Sequence, residues 1–219
     1  MHAVSLGAHE PVASLLAIGC HADDIEIGCG GTILSLVETN PALAVTWLVL
    51  SATGERHAEA RASAAAFLSG VRREPRVQLE SFRDGFFPYL GADVKEVFEQ
   101  LKTEVSPDVV LTHSGKDAHQ DHRLAAELTW NTFRDHLVLE FEIPKYDGDF
   151  GTPNVYVPLT EERARRKAEL LRTHFASQRA KHWFTDDLFL GVMRIRGMEA
   201  NSPTGYAEAF TCRKLQLVA

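Results

Sequence analysis

Leu15-Leu16-Ala17-Ile18-Gly19-Cys20-His21-Ala22-Asp23-Asp24 decides how this chain folds. The run Leu15–Gly19 shows no polar alternation, so it reads as a strand buried on both faces, the kind found in parallel sheets. His21-Ala22-Asp23-Asp24 then marks the strand's end, and Gly30–Val37 reads as the helix that follows. The same order of events recurs far along the chain. Val109-Val110-Leu111-Thr112 runs within a few residues into His119-Gln120-Asp121-His122, with a helix expected from about Asp121.

The pattern extends outward from these two points. Ala44–Leu50 and Arg76–Leu79 read as strands, and Glu55–Leu68 as an alanine-rich helix with Ser69-Gly70 as its stop. Asp93–Glu104 is amphipathic, with Val94, Val97, Phe98 and Leu101 on one stripe. Leu137–Phe141 is a further strand, Thr160–Phe175 a helix capped by Thr160, and Leu188–Ile195 a last strand. Alternating strands and helices imply parallel pairing through right-handed crossovers. The expected fold is therefore α/β: a Rossmann-like, doubly wound, mostly parallel sheet with helices on both faces, and residues 1–219 forming a single domain. Ile143–Pro158 lacks periodicity but keeps aromatic and apolar residues, and reads as an ordered flap loop over about residues 143–158.

Composition narrows the partners. With 219 residues and 45% hydrophobic content, the chain can bury a sizeable core. A net charge of −7 argues against nucleic acid or an anionic membrane surface, and Arg163-Ala164-Arg165-Arg166-Lys167 reads as a solvated helix face. No apolar stretch approaches the roughly 20 residues of a membrane span. Met1-His2-Ala3-Val4-Ser5 does not look like a secretion leader, and three cysteines form no close pair, so a cytoplasmic location is expected.

Imidazoles plus carboxylates are a ligand set for zinc or a similar divalent ion, and iron(II) suits them as well. In a doubly wound sheet, ligands bind beyond the carboxyl ends of the strands, where strand order reverses. If the first strand lies beside Val109–Thr112, His21, Asp24 and His122 converge there and leave a coordination position open for water. Asp23 is then placed to act as general base, and His119 to stabilise an oxyanion on a substrate carbonyl. Asp121 can hold one imidazole in its tautomer or cap the following helix. Either cluster alone could be a simple turn cap; two clusters at equivalent strand ends argue for a metal site.

Ala17-Ile18-Gly19-Cys20-His21-Ala22-Asp23-Asp24-Ile25-Glu26-Ile27-Gly28-Cys29-Gly30-Gly31-Thr32 resembles the first motif of the PIG-L/LmbE-like de-N-acetylases. These are zinc enzymes that remove an acyl group from N-acetylglucosamine-type substrates. His119-Gln120-Asp121-His122 is similar to their second motif, and Arg56-His57-Ala58-Glu59, Asp84-Gly85-Phe86 and His174-Phe175-Ala176-Ser177-Gln178 are smaller echoes. The resemblance implies that His21, Asp24 and His122 bind Zn2+, that Asp23 is the base and acid, and that His119 steadies the tetrahedral intermediate. It also implies that Arg56 and Asp84 meet the hydroxyls of a small amino-sugar substrate, free or carrier-linked. The chain departs from the family where Ala22 and Gln120 stand in place of proline. Asp117 also occupies a position where some members have tyrosine, so an assisting phenol would come from elsewhere, with Tyr146 of the flap a candidate.

Other features read as structural. Gly28-Cys29-Gly30-Gly31 fails the dinucleotide pattern because Ile33 replaces its third glycine, and these glycines read as a tight turn. Cys20 and Cys29 read as buried thiols, and His113 as a hydrogen-bonded core histidine. Trp183-Phe184 and Gly205–Phe210 read as packing or subunit contacts, which leaves a homo-oligomer open. The expected activity is zinc-dependent removal of an acetyl group from an amino sugar; a metal phosphoesterase and a catalytically silent sugar-binding protein are the alternatives.

Overall fold

The computed structural model describes residues 11–216, so Met1–Ser5 lies outside the described residues. The chain builds β1 (Ser14–His21), α1 (Asp24–Thr39), β2 (Ala44–Ser51), α2 (Glu55–Phe67), β3 (Arg76–Leu79), α3 (Gly91–Glu104) and β4 (Val109–His113). It continues through α4 (Gln120–Thr132), β5 (Leu137–Phe141), β6 (Val155–Leu159), α5 (Glu161–His174), α6 (Asp186–Glu199) and β7 (Tyr206–Thr211). One seven-stranded sheet has the order β3-β2-β1-β4-β5-β7-β6. Its first five strands pair in parallel, and β7 runs antiparallel to both β5 and β6.

Alternate side chains of β1 feed two separate cores. Leu15 and Ala17 join Ile25, Ile33 and Val37 of α1 and Leu171 of α5, whereas Leu16, Ile18 and Cys20 join Val94, Phe98 and Leu101 of α3. Helices thus cover both faces, and a strand buried on both sides has no polar side to show. The doubly wound α/β architecture expected from the sequence is the one the chain adopts.

The sheet also makes the crevice. β1 stays paired with β2 as far as His21 and Ser51, but its pairing with β4 stops at Ala17 and Leu111. Strand order reverses between β1 and β4, so their carboxyl ends diverge there, where doubly wound folds bind ligands.

Two expectations are corrected. Leu188–Ile195 is not a strand but the middle of α6: Thr185 caps the helix by accepting from the Leu188 N–H (3.3 Å), and Phe189 and Met193 bury one helical stripe. The loop Ile143–Pro158 ends early, because β6 starts at Val155 and forms the sheet edge, where Pro158 is tolerated. Tyr206–Phe210, read as packing or a subunit contact, does pack, as part of the interior strand Tyr206–Thr211; its buried Glu208 breaks the apolar run that would have announced a strand.

The helix expected at Gly30–Val37 starts earlier, at Asp24, but is broken at Cys29 (φ −144°). Lys167 of α5 donates to the Ile27 carbonyl (2.6 Å) on one side of the break. Glu208 of β7 accepts from Gly31 N–H (2.7 Å) and Thr32 N–H (2.6 Å) on the other. Lys167 and Glu208 pair at 2.7 Å, so one buried ion pair satisfies both frayed ends. These N–H groups are therefore unavailable to a phosphate, which disposes of a dinucleotide loop. Smallness at Gly28 has another cause: a β-carbon there would lie 2.2 Å from the Phe141 ring. Among the described residues no helix is long and apolar enough to cross a membrane.

Candidate metal centre

β1 delivers His21, and the turn into α1 delivers Asp23 and Asp24. β4 and the loop after it deliver His113, Asp117 and His119, and the first turn of α4 adds Asp121 and His122. His21 Nδ1, Asp24 Oδ2 and His122 Nε2 form a triangle with sides of 3.2, 3.4 and 3.2 Å. Ligand atoms about 2.0–2.1 Å from a tetrahedral zinc sit about 3.3 Å from one another, so the spacing and chemistry of this trio suit a divalent ion. Without a cation, two imidazole nitrogens and a carboxylate oxygen crowd one point.

The outward nitrogen of each imidazole faces a carboxylate. His122 Nδ1 lies 3.0 Å from Asp117 Oδ2, and His21 Nε2 lies 3.0 Å from Asp84 and 3.5 Å from Asp121. Such partners fix the orientation and raise the basicity of metal-binding histidines. Burial works against charge on both rings, yet Asp24 and the outer carboxylates raise both pKa values above the usual histidine range, His21 by more. Asp24 goes the other way: against burial, His122, His113 and His21 hold it well below the usual carboxylate range. Asp117 is likewise brought down to about 2, its burial outweighed by the His122 bond and the nearby charges of His122 and Lys145. The field that attracts protons here attracts a metal cation equally.

Asp23 precedes α1 and makes no capping bond of its own. It accepts from Arg56 Nη2 at 2.6 Å. Burial raises its pKa, and the Arg56 charge only partly opposes this. Gly54, with φ +56° and ψ −130°, makes the turn that starts α2 and brings Arg56 in, a conformation unfavourable for any residue with a β-carbon. Arg56 also reaches Glu59 (3.2 Å).

His119 is the N-cap of α4. Its Nδ1 accepts from the Asp121 N–H at 3.2 Å, which leaves Nε2 as the proton-bearing nitrogen of the neutral ring. Burial, followed by the charges of His122 and His21, holds its pKa down. Asp121 does not cap α4 with its side chain, and the imidazole it faces is that of His21, at 3.5 Å. Its buried carboxylate accepts from Gly85 N–H (2.6 Å) and Phe87 N–H (3.1 Å), and so fixes the turn that carries Asp84. His113 accepts the Cys20 N–H at Nε2 (3.0 Å), in place of a strand carbonyl where β1 and β4 part. Burial first, then the His122 charge, pushes its pKa down to about 4. Cys20, Cys29 and Cys212 are free buried thiols, with pKa values raised by burial.

These groups open into a cavity of about 450 Å³ lined by His21, Asp23, Asp24, Arg56, Asp84, His119 and His122. All the site residues named from the sequence except Asp121, which stands behind, therefore share one wall. The rest of the lining comes from the flap, through Ile143, Pro144, Lys145 and Tyr146, and from Gln178, Lys181 and Trp183 between α5 and α6. Sequence reasoning missed Lys145 and the part Asp117 plays, and it read Trp183 as packing or a subunit contact. Lys145 Nζ bridges Asp117 (3.0 Å) and Asp149 (2.5 Å), and so ties the flap to the carboxylate behind His122. The only sequence signal was Asp117 itself, standing where a tyrosine was expected.

Solved structures share the whole architecture. N,N'-diacetylchitobiose deacetylase from Pyrococcus horikoshii superposes with TM-score 0.68 at 19% identity, covering 92% of this chain and 84% of that one. The 4-carboxy-2-hydroxymuconate hydratase GalB from Pseudomonas putida KT2440 superposes with TM-score 0.71 at 18% identity, covering 95% and 99%. At these identities the likeness establishes the fold and leaves the reaction to the site. A curated relative named "Uncharacterized deacetylase YaiS", from Escherichia coli (strain K12), is 26% identical over 170 residues, 73% of this chain and 89% of that protein. The profile of the family described as "PIG-L: GlcNAc-PI de-N-acetylase" matches residues 16–133, which run from β1 to the end of α4. That match takes in both acid-histidine turns and more than half of the 219 residues, and the chain belongs to the PIG-L family.

Proposed function

We propose that the protein is a zinc-dependent hydrolase that removes the acetyl group from an N-acetylglucosamine-type sugar. The observation that carries this is the triangle of His21, Asp24 and His122 with Asp23 and His119 on the same cavity wall, in a chain of a de-N-acetylase family. His21 Nδ1, Asp24 Oδ2 and His122 Nε2 would hold the ion, with iron(II) the other metal this set accepts. When bound, the ion supplies Lewis-acid activation of water and of the acetamide carbonyl.

The chain's own groups do the rest. Asp23, with its pKa raised by burial, takes a proton from the water whose oxygen attacks the carbonyl carbon. The Nε2–H of His119 donates to the oxygen that gains negative charge. Asp23 then gives its proton to the nitrogen as the C–N bond breaks, releasing acetate and the free amine. Arg56 keeps Asp23 aimed into the cavity and, with Asp84, faces the sugar hydroxyls. Asp121 positions Asp84 and His21 rather than touching substrate.

Acetate release from N-acetylglucosamine and its methyl glycoside, measured beside metal content, tests this reading. Chelation should abolish turnover and zinc should restore it. Full activity in metal-free protein, or hydrolysis of a phosphate ester with none of any acetamide, would refute it.

A further inference from the structure

A second cavity, of about 200 Å³, lies between the flap and the start of α6, walled by Pro144, Tyr146, Phe150, His182, Trp183 and Leu188. Pro144, Lys145, Tyr146 and Trp183 also line the catalytic cavity, so the two spaces are neighbours across one shared wall. Lys145, Gly148 and Asp149 complete the lining, yet most of the surface this cavity exposes is apolar, unlike the acid-histidine lining around His21. Tyr146 and Phe150 remain 76% and 45% exposed, and the Tyr146 ring stands 5.8 Å from that of His182. Large apolar side chains left open beside a reaction site mark a place where a ligand covers them.

The flap that presents them is held by polar contacts. Glu142 accepts from Arg196 Nη2 (2.9 Å) and from Gly151 N–H (3.0 Å), and Asp149 accepts from Ala118 N–H (2.6 Å). Of the aromatic side chains, Phe150 meets one of these anchors, the Arg196 guanidinium lying 5.6 Å from its ring centre.

We propose that this cavity is a subsite for an apolar group, about one aromatic ring in size, carried by the substrate itself. The inference rests on the deacetylase reading and adds to it the class of substrate. An apolar protein cavity of about 150 Å³ admits benzene, so this one takes a ring or a chain of about six carbons. The sugar is placed elsewhere: Arg56 and Asp84, which face its hydroxyls in the proposed reaction, line the catalytic cavity and not this one. The apolar group is joined to the sugar either at the anomeric oxygen or as an extended acyl chain.

Two substrate series separate these attachments. The first compares acetate release from the methyl and phenyl β-glycosides of N-acetylglucosamine. The second compares amine release from methyl glycosides bearing N-acetyl and N-hexanoyl groups. One series should show kcat/KM higher by about tenfold to a hundredfold for the apolar member, the range that burial of one such group supports. Leu188→Trp, which fills the cavity, and Phe150→Ser, which strips its wall, should erase that gain and leave the methyl N-acetyl substrate unchanged. A flat response in both series, or a gain that survives both variants, overturns the inference. If the methyl glycoside is not hydrolysed at all, the deacetylase reading falls first. Calorimetry with methyl and phenyl β-glucoside, which contain no amide, still reads the cavity: tighter phenyl binding that Leu188→Trp removes supports the subsite, and equal binding rejects attachment at the anomeric oxygen.

Discussion

At the ends of β1 and β4, His21, Asp24 and His122 stand on or beside paired backbone, and each ring's outer nitrogen meets a carboxylate. Elsewhere around the cavity, Tyr146, Lys181 and Trp183 stand on loops, with Tyr146 76% exposed and the flap tied down by ion pairs. The difference is one of tolerance. Donor atoms must meet within tenths of an ångström, which a sheet provides, whereas a wall that selects substrate can vary and therefore rests on loops. The two halves should respond differently to substitution, chemistry failing on one side and selectivity on the other.

The largest effects are expected at the strand ends. His122→Ala should lose both metal and turnover, because the neighbouring carboxylate and imidazole cannot hold the ion as a pair. Asp23→Asn should keep the metal but lose about 10²–10⁴ in kcat, the usual contribution of a positioned proton acceptor. Metal analysis beside acetate release separates the two; a fully active Asp23→Asn protein would move the proton transfer to another group.

The Lys167–Glu208 pair supports the strand-end half from behind, since it links β7 and α5 to both sides of the break in the helix that begins at Asp24. Both side chains are 3% exposed. Glu208→Ala strands the ammonium and the Gly31 and Thr32 N–H groups, and should cost about 3–5 kcal/mol. For a chain of this size that lowers Tm by on the order of 10 °C, readable by calorimetry. Pairing Glu208→Leu with Lys167→Met should recover part of the loss, because the buried charge has gone while the N–H groups stay unpaired. A Glu208→Ala protein melting like the parent would show that the helix break needs no such support.

The same division explains what the sequence discloses. Leu15–Gly19 and Val109–Thr112 are buried on both faces, so their apolar runs are local signals, and the turns that follow carry the ligand types directly. The third layer of information is topological. Glu208 looks polar in isolation and becomes intelligible only when β7 lies beside α1. Lys145 and Asp117 meet only because the flap returns across the end of β4. Leu188–Ile195 misled because a run of apolar residues fits either period, and the decision rests with Thr185 capping the helix and with the stripe of Phe189 and Met193.

Behind His122, Asp117 tests how much the orienting carboxylate contributes. Asp117→Asn keeps the shape and can still accept a hydrogen bond from Nδ1, but it removes the charge that raises the ring's basicity. Metal affinity should fall about tenfold to a hundredfold, as for other outer partners of metal-binding histidines, with kcat of the metal-saturated protein changed far less. Competition with a chromogenic chelator gives the affinity. An unchanged value would mean that sheet geometry alone orients His122.

The smallest effect is expected where the halves touch. Lys145 is 13% exposed and holds Asp117 on one side and Asp149 on the other. Lys145→Met leaves the His122–Asp117 contact intact but removes the tie between flap and metal centre, so the flap wall should loosen more than the metal does. An interaction of about 1 kcal/mol lost there raises KM about fivefold. Metal affinity and kcat should shift by less than that. If instead kcat falls and KM holds, Lys145 acts on the chemistry through Asp117, and the boundary between a rigid reacting wall and a selective one runs through the flap rather than beside it.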